Sequence, residues 1–317
     1  MKYILNYITK NGPTVLALGV CLGLLAPRLA EIARPLMPVT VFVFVLGTLL
    51  RIDNKQIIES AKEIKTSIIF PIFMVVICPY LFGGISLYLG ASKELTLAIA
   101  LAIAAPPASG NSAVARMLGL NPSMSLVSTL CSMALIPLTA PMILNQFGSG
   151  VGLSIDPLDL AWRLALLIGG AEGVAILIRR FAFTVVQEHG LAIDGLVVVS
   201  LLVFACGTMF GMFDILVATP ALALKTIAIA YLLNITMLVM CSALYPGDLN
   251  SKLTMGLNCG NRNVGLIWSA LGLTISPSVA LFFACSQLPI YTIPKILQHC
   301  LPLIKNLGLK LKKREIL

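Results

Sequence analysis

Long apolar runs separated by short polar turns extend along the whole chain. A helix that crosses a membrane needs roughly 20 mostly apolar residues, and the pattern predicts ten apolar segments of this kind. Their predicted ranges are 13–31, 36–50, 66–90, 95–119, 122–146, 158–180, 191–212, 217–245, 250–273 and 276–301. No polar stretch between them reaches 30 residues. The pattern therefore predicts an all-α membrane protein without a soluble domain.

The composition agrees with this interpretation. Of the 317 residues, 58% are apolar and 11% are charged, and the mean hydropathy is +0.98. Soluble domains are about half apolar and about a quarter charged, so a soluble domain on a single anchor is excluded. The first apolar segment follows Lys2 and Lys10 and has the pattern of a signal peptide. Because equally apolar segments follow it, we interpret it as the first transmembrane helix.

Basic residues are distributed unevenly between the two sides that ten spans define. Fifteen lysines and arginines fall on the side of the termini and five on the opposite side. By the positive-inside rule, both termini are expected in the cytoplasm, and the protein is expected in the bacterial inner membrane. The basic tail 304–317 then faces an anionic lipid leaflet. The topology thus accounts for the net charge of +9, and no nucleic-acid partner is needed. A tail that binds a partner is the alternative.

The two halves of the chain share a layout. The fourth segment is interrupted by "AAPPASGNSA" (104–113) and the ninth by "GLNCGNRNVG" (256–265). These are the fourth spans of two sets of five, and because five is odd, the second set must enter the membrane upside down. We therefore predict inverted repeats at 1–150 and 151–303. Paired interrupted helices in inverted halves indicate a transporter binding site.

Both interruptions carry residues that break helices. Pro106 and Pro107 remove two amide donors and crowd the preceding turn. Gly110, Gly256 and Gly260 are expected to permit unusual backbone angles. A single break would be interpreted as a proline kink whose freed backbone groups are satisfied by neighbouring polar side chains. Two matched breaks favour a functional crossing, since half-helix ends suit an ion or a charged solute.

Two segments, "APPASGNSAVARMLGLNPSMSLVST" (105–129) and "GLNCGNRNVGLIWSALG" (256–272), resemble the bile acid/sodium symporter family. The order of spans agrees with that family over essentially the whole chain. The resemblance implies ten helices in two inverted repeats, with a panel of spans one, two, six and seven. The other six spans then form a core in which discontinuous helices four and nine cross. It also implies alternating access, with a solute bound between panel and core.

The resemblance further implies a sodium site at the break of the fourth span. Alignment through "LGLNPSMSL" places Asn111 and Ser112 on a Ser–Asn pair of the family, in reversed order. The same alignment places Ser125 and Thr129 on two hydroxyl ligands of the fifth helix. These two residues share a helix face, as two ligands of one ion must, and oxygen donors suit a hard cation. Alternatively, the hydroxyls bond the backbone of their own helix.

Three departures from the family change this expectation. Asn258 stands where the family has a glutamate that touches both sodium ions, and Arg262 stands where it has a glutamine. Met74 replaces a glutamine of the third helix. A guanidinium does not lose its proton, and it repels a cation. We therefore expect the second sodium site to be absent and the first, with Asn258 among its ligands, to be weakened. No other cofactor is expected.

Arg262 is the residue on which the functional prediction depends. A charge at mid-bilayer costs about 2.5–3.5 kcal/mol on insertion scales, so it needs a partner. Arg262 either stands permanently in place of sodium or reaches the cleft and binds the carboxylate, sulfonate or phosphate of a solute. A structural alternative is that it bonds free carbonyls of the broken fourth helix. The predicted solute-binding residues are Arg262, Asn258, Asn261, Asn263, Pro107 and Ser109.

Glu172 is a second intramembrane charge, in the glycine-rich stretch "LLIGGAEGVAIL" (166–177). Carboxylates inside a membrane protein often carry protons along a transport path. We expect Glu172 to be buried, facing the cleft or a core helix. It would act there as a proton-coupling acid or as the counter-ion of a basic residue.

These features predict a secondary transporter of a small organic anion that needs no sodium or one sodium ion at most. A one-sodium- or proton-coupled symporter, a channel-like pore and a solute sensor of the same fold are the alternatives. The sequence has no paired carboxylates, HExxH, GxSxG or P-loop, so an enzyme is not predicted. The expected partners are the lipid bilayer and the anion, and no oligomeric state is predicted.

Overall fold

The computed structural model describes residues 12–51, 62–151, 155–272 and 275–314. In these residues the backbone forms helices, together with an isolated antiparallel bridge between Pro107 and Arg262. Seven helical segments of the described residues, some of them made of consecutive shorter helices, are long and apolar enough to cross a membrane. The chain is therefore an all-α membrane protein, as the apolar pattern predicts.

The helices are numbered in chain order. The first eight are α1 (Gly12–Leu25), α2 (Pro27–Ala33), α3 (Met37–Leu50), α4 (Lys65–Tyr88), α5 (Lys93–Ala104), α6 (Asn111–Met117), α7 (Pro122–Phe147) and α8 (Pro157–Phe181). The other seven are α9 (Phe183–Glu188), α10 (Gly190–Gly207), α11 (Met212–Ala218), α12 (Pro220–Leu244), α13 (Leu249–Gly260), α14 (Val264–Leu271) and α15 (Pro277–Arg314). A 3-10 turn, Arg34–Leu36, joins α2 to α3, and α4 contains two π-helical turns, Lys65–Ile69 and Phe73–Ile77.

The predicted boundary between the first two spans, at 31–36, is wrong. Helix α1 ends at Leu25, and the second helical segment begins at Pro27. Pro27 has no amide hydrogen to donate back to α1, so the chain breaks there. Two prolines near the predicted boundary, Pro35 and Pro38, lie in the first turns of the 3-10 turn and of α3. A missing donor costs little at such positions, so they do not interrupt the segment.

Side-chain caps fix where several helices begin. The N-cap residue of α5, α7, α8, α13 and α14 accepts, in each case, a backbone N–H of the first turn. These residues are Ser92, Asn121, Asp156, Asp248 and Asn263. Each cap satisfies an amide that the helix leaves without a partner, so these starts are encoded locally. The cap of α14 also ends the second interruption.

Most of the helices pack in two groups, and the groups also pack against each other, α8 against α7 and α1 against α15. In one group α10 packs against α1 and α3, and α3 packs against α8. In the other, α5 packs against α4, α7 and α15, and α13 packs against α12. Small residues bring α1 close to α10, since a Cβ added at Gly23 would lie 2.4 Å from the carbonyl oxygen of Cys206. The first group contains the helices of predicted spans one, two, six and seven.

The last helix is longer than predicted. The apolar pattern predicts an end near residue 301, but α15 continues to Arg314 and includes most of the basic tail 304–317. Pro302 is the last proline of the chain, so no further missing donor stops the helix after it. The side chains from 304 onward lie outside the described residues, and the contact of the tail with lipid stays a prediction.

The glycines near the breaks do not have unusual backbone angles. Gly110, Gly256 and Gly260 are not among the described glycines with positive φ, so that expectation is wrong. A Cβ added at Gly256 would lie 1.9 Å from Oγ of Ser242 and 2.5 Å from the carbonyl oxygen of Leu238. The missing side chain therefore lets α13 lie directly on α12.

Gly256→Ala is expected to lower the thermal stability of the purified protein, because the added carbon collides with α12. Overpacking of this kind costs about 1–3 kcal/mol. Gly110→Ala is the matched control, since nothing lies within 4 Å of a Cβ added there. Thermal unfolding of both variants in one detergent makes the comparison. Equal stability of the two variants would contradict the packing role of Gly256.

Candidate functional site

The two interrupted segments meet at their breaks, which separate α5 from α6 and α13 from α14. The backbone N–H of Ala108 donates to the carbonyl of Asn261 at 2.9 Å, and that of Asn263 donates to the carbonyl of Pro106 at 2.7 Å. These bonds flank the antiparallel bridge that pairs Pro107 with Arg262. Backbone freed from one helix is thus satisfied by the other segment. The predicted interruptions are present, and they lie against each other.

The side chain of Arg262 is buried where the breaks meet, with 5% of its surface exposed. Its Nε donates to the carbonyl of Cys259 at 2.7 Å. Its Nη1 donates to the carbonyl of Ala105 at 3.0 Å, and its Nη2 donates to the carbonyl of Met74 at 3.2 Å. The guanidinium therefore joins the ends of α5 and α13 to the middle of α4.

The carbonyl of Met74 is free because of a local irregularity in α4. In the π-helical turn Phe73–Ile77, the N–H of Cys78 bonds the carbonyl of Phe73. The next donor in this register would be the backbone nitrogen of Pro79, which carries no hydrogen. The π-helical turn and the proline together leave the carbonyl of Met74 to Arg262. Such turns are frequent at functional sites.

The other two carbonyls are free because they lie at helix ends. Ala105 follows the last residue of α5 and precedes two prolines. Cys259 lies in the last turn of α13. The last carbonyls of a helix have no partner within the helix, and the helix dipole gives them partial negative charge. A cation is the group that such carbonyls bind best.

This geometry agrees with the structural alternative for Arg262 and with its standing in place of a cation. Nη1 and Nη2 each donate one hydrogen to a backbone carbonyl, and each carries a second hydrogen. An ion pair joins Arg51 to Asp194 at 3.0 Å, far from the crossing in the sequence. Carbonyl dipoles therefore solvate the charge of Arg262, but no described carboxylate neutralises it.

Three of the five predicted sodium ligands, Asn111, Ser125 and Asn258, form a hydrogen-bonded cluster. Oδ1 of Asn258 accepts from Oγ of Ser125 at 2.7 Å and from Nδ2 of Asn111 at 3.3 Å. Its Nδ2 donates to the carbonyl of Ser125 at 3.1 Å, and Nδ2 of Asn111 also donates to the carbonyl of Asn261 at 3.0 Å. Amide N–H groups therefore stand where oxygens would have to converge on an ion. In this arrangement the residues do not fit sodium.

Ser112 and Thr129 do not join this cluster as the resemblance implied. Oγ1 of Thr129 donates to the carbonyl of Ser125 at 2.8 Å, which is the backbone alternative considered for the hydroxyls of this helix. Ser112 is half-buried, and no described hydrogen bond links it to Asn258. The reversed order relative to the family pair puts the amide of Asn111, rather than a hydroxyl, toward the cluster.

Asn261 and Asn263, which were predicted to bind solute, hold the second break in place. Asn263 accepts the N–H of Leu266 at 3.2 Å and donates from Nδ2 to Oγ of Ser109 at 3.3 Å. Asn261 donates from Nδ2 to the carbonyl of Ile290 at 3.1 Å. Three of the predicted residues are thus linked to each other or to α15. Their side chains fix the shape of the site.

A cavity of about 70 Å³ lies beside the crossing. The breaks contribute Ser109, Asn111, Asn261, Arg262 and Asn263, α15 contributes Gln287 and Tyr291, and α3 and α10 contribute Phe44, Leu201 and Phe204. A water molecule takes about 30 Å³ of liquid, so the cavity holds a few waters or a small solute group. The residues from α3, α10 and α15 were not predicted, because no local signal marks them and only tertiary packing brings them to the site.

A second cavity, of about 40 Å³, shares Arg262 with the first and lies between α5, α12, α13 and α15. Asn234 lies on its wall and donates from Nδ2 to the carbonyl of Gly260 at 2.9 Å. Among the described residues, Oδ1 of Asn234 and Oδ1 of Asn111 are buried without a hydrogen-bond partner. Buried polar atoms are normally paired, so each oxygen is available to a donor that enters its cavity.

Glu172 lies outside this site. It is exposed on α8, and it lines neither cavity. No ion pair joins it to a basic residue in the described ranges. The expected burial is therefore absent, and the proton-coupling role stays a prediction without a structural partner.

The chain matches no protein-family model and no curated protein sequence.

Proposed function

We propose that this protein is a secondary transporter of a small organic anion that works by alternating access. The observation that carries the proposal is a crossing of two broken helices around a buried, unneutralised Arg262, beside a cavity. The proposal includes ten spans in two inverted repeats, 1–150 and 151–303. Helices α1, α3, α8 and α10 form its panel, and the other spans form its core.

Broken helices support a transporter because unpaired backbone is tolerated in a membrane only inside protein or beside water. Here each break is satisfied by the other and borders the cavity. In the proposed mechanism the crossing stays fixed within the core. The panel rocks against it, so that the cavity opens to one side of the membrane at a time.

An anion is the solute that the charges around the cavity favour. Arg262 is solvated by carbonyls, and within the described ranges no carboxylate pairs with it. A fixed charge in surroundings of low dielectric constant attracts a counter-charge far more strongly than it does in water. Val264 and Gly265, at the positive end of the α14 dipole, also line the cavity. A carboxylate or sulfonate bound there would neutralise the site.

Transport without sodium is the second part of the proposal. The hydrogen bonds around Asn258 already engage its own amide and the hydroxyl of Ser125, two of the groups that would hold one sodium ion. The guanidinium of Arg262 supplies the positive charge that a second ion would bring to the carbonyls of Met74 and Cys259. A site that carries its own cation needs no coupling ion to be complete.

The proposed location is the bacterial inner membrane, with both termini in the cytoplasm, and it rests on the excess of basic residues on that side. A one-sodium- or proton-coupled symporter, a channel-like pore and a solute sensor are the alternatives. Saturable flux with counterflow in liposomes separates a transporter from a pore. Any flux of the anion separates it from a sensor.

A thermal-shift screen of small carboxylates and sulfonates, run in sodium salts and again in choline salts, tests the proposal. We expect at least one anion to raise the unfolding temperature equally in both. A ligand present at a hundred times its Kd stabilises a protein by about 2.7 kcal/mol. Stabilisation that needs sodium would contradict the ion-free site. Stabilisation by neutral solutes but by no anion would contradict the role given to Arg262.

A further inference from the structure

The cavity beside the crossing has two chemically different sides. The side formed by the breaks and α15 carries the polar groups of the lining, among them Ser109, Asn111, Asn263, Gln287 and Tyr291, together with apolar residues such as Ile290 and Pro294. The side formed by α3 and α10 consists, within the described ranges, of Phe44, Leu201 and Phe204. Ligand pockets combine apolar walls with a few placed polar groups. A solute that fills this cavity therefore needs one polar end and one apolar part.

Phe204 packs directly on the crossing. A Cβ added at Gly265 would lie 2.4, 2.8 and 3.0 Å from three carbon atoms of its ring, Cζ, Cε1 and Cε2. The ring is 2% exposed and packs edge-on against Phe44, with ring centroids 6.1 Å apart. Gly265 thus offers bare backbone at the start of α14, and the ring of Phe204 is seated on it.

We propose that Phe204 and Phe44 form a wall that receives the apolar part of the transported anion and limits its length. This inference rests on the proposed function and adds a substrate class: a single anionic group on a short apolar body. Polyhydroxylated and doubly charged anions fit poorly. The wall offers their second polar group no hydrogen-bond partner in the described residues, and burying an unpaired polar group is unfavourable.

The seat on Gly265 sets the position of the wall. The backbone before it is anchored, because the N–H of Asn263 bonds the carbonyl of Pro106 at 2.7 Å and the side chain of Asn263 caps Leu266. A side chain at position 265 would therefore displace the ring of Phe204 rather than the backbone of α14. The displaced ring would take up part of the cavity that it now lines.

Alkanesulfonates of increasing chain length test the wall, because their charge is fixed and they do not cross bilayers as neutral acids. Each methylene that lies against the wall should strengthen binding about fourfold, up to an optimal length beyond which binding weakens. We expect Phe204→Ala to move this optimum to longer chains. Phe42→Ala is the matched control, since Phe42 lies on α3 but does not line the cavity. An unchanged optimum in Phe204→Ala would overturn the proposal.

Gly265→Ala tests the seat. We expect it to abolish binding and counterflow of the alkanesulfonates that the wild-type protein carries. Gly170→Ala is the control, because a Cβ there would meet Cε2 of Phe42 at an ordinary 3.7 Å. Adding Phe204→Leu to Gly265→Ala should restore binding, since the smaller side chain relieves the collision. Full activity of Gly265→Ala, or a loss that Phe204→Leu does not relieve, would overturn the proposal.

The two proposals fail in different ways. If the wild-type protein binds and exchanges no organic anion, the proposed function fails. If it exchanges alkanesulfonates but its preferred length does not respond to substitutions at Phe204, the wall alone fails.

Discussion

Arg262→Ala is expected to abolish anion transport and to lower the unfolding temperature strongly. The substitution leaves the buried carbonyls of Met74, Ala105 and Cys259 without the donor that each now has. A buried polar group left unpaired costs about 1–3 kcal/mol, so the loss is on the order of several kcal/mol. The variant also lacks the fixed charge assigned to anion binding. Uptake into proteoliposomes and thermal unfolding in detergent measure the two effects separately.

Two further variants separate the geometry of the guanidinium from its charge. Arg262→Lys keeps the charge, but an ammonium is a compact point charge without the planar fork of a guanidinium. We therefore expect the Arg262→Lys variant to be inactive, like Arg262→Ala. Arg163→Ala is the matched control. Arg163 is exposed and also donates to a carbonyl, that of Ala270 at 3.4 Å, and its loss should leave transport nearly normal. Normal transport by Arg262→Ala would contradict every role argued for this residue.

Asn258→Asp is expected to make the stability of the protein depend on sodium, whereas we expect the stability of the wild-type protein not to. The Nδ2 of Asn258 now donates to the carbonyl of Ser125 at 3.1 Å. In the variant a carboxylate oxygen faces that carbonyl, and a cation between the two oxygens relieves their repulsion. Saturation at a hundred times the Kd would raise stability by about 2.7 kcal/mol. Thermal unfolding in sodium and in choline chloride measures the difference.

Asn263→Asp is the matched control for this prediction. It also adds a carboxylate at the crossing, but the acceptor that caps Leu266 is kept, and the hydroxyl of Ser109 can donate to the new oxygen. We expect no response to sodium. Stabilisation of the wild-type protein by sodium would contradict the prediction that the hydrogen bonds of Asn258 exclude the ion. An Asn258→Asp variant that does not respond to sodium would contradict it as well.

The crossing could be predicted from the sequence because its causes are local. Pro106 and Pro107 remove donors inside an apolar run, and the polar groups around Arg262 have no place in a continuous helix against lipid. The matching positions of the breaks in two sets of five spans implied that they meet. The bond from Arg262 to the carbonyl of Ala105 matches one of the sequence-based alternatives, in which Arg262 bonds free carbonyls of the broken fourth helix.

The contact of Arg262 with α4 could not be predicted from the sequence. It depends on the π-helical register that frees the carbonyl of Met74, and an apolar pattern does not distinguish this register from an ordinary helix. The pair Cys78–Pro79 was a partial signal, because a proline inside a span leaves a carbonyl without its donor, although in an ordinary α-helix that carbonyl is the one of Val75.

Rotation of helices and packing between distant segments account for the remaining differences. Glu172 is exposed because of the way α8 is turned in the bundle, and a helix that is apolar nearly all round gives no preferred face. Phe204 and Gly265 are far apart in the chain, and their contact follows from the packing of α10 and α14. Neither feature has a local cause that a sequence pattern could show.

Counterflow in proteoliposomes with choline as the only added cation is the most direct test of a fixed charge in place of a coupling ion. The liposomes are loaded with the alkanesulfonate that stabilises the protein most, and the labelled form is added outside. We predict saturable accumulation of label that is unchanged by sodium on either side and lost in Arg262→Ala. Accumulation that occurs only when sodium is present would contradict the central claim.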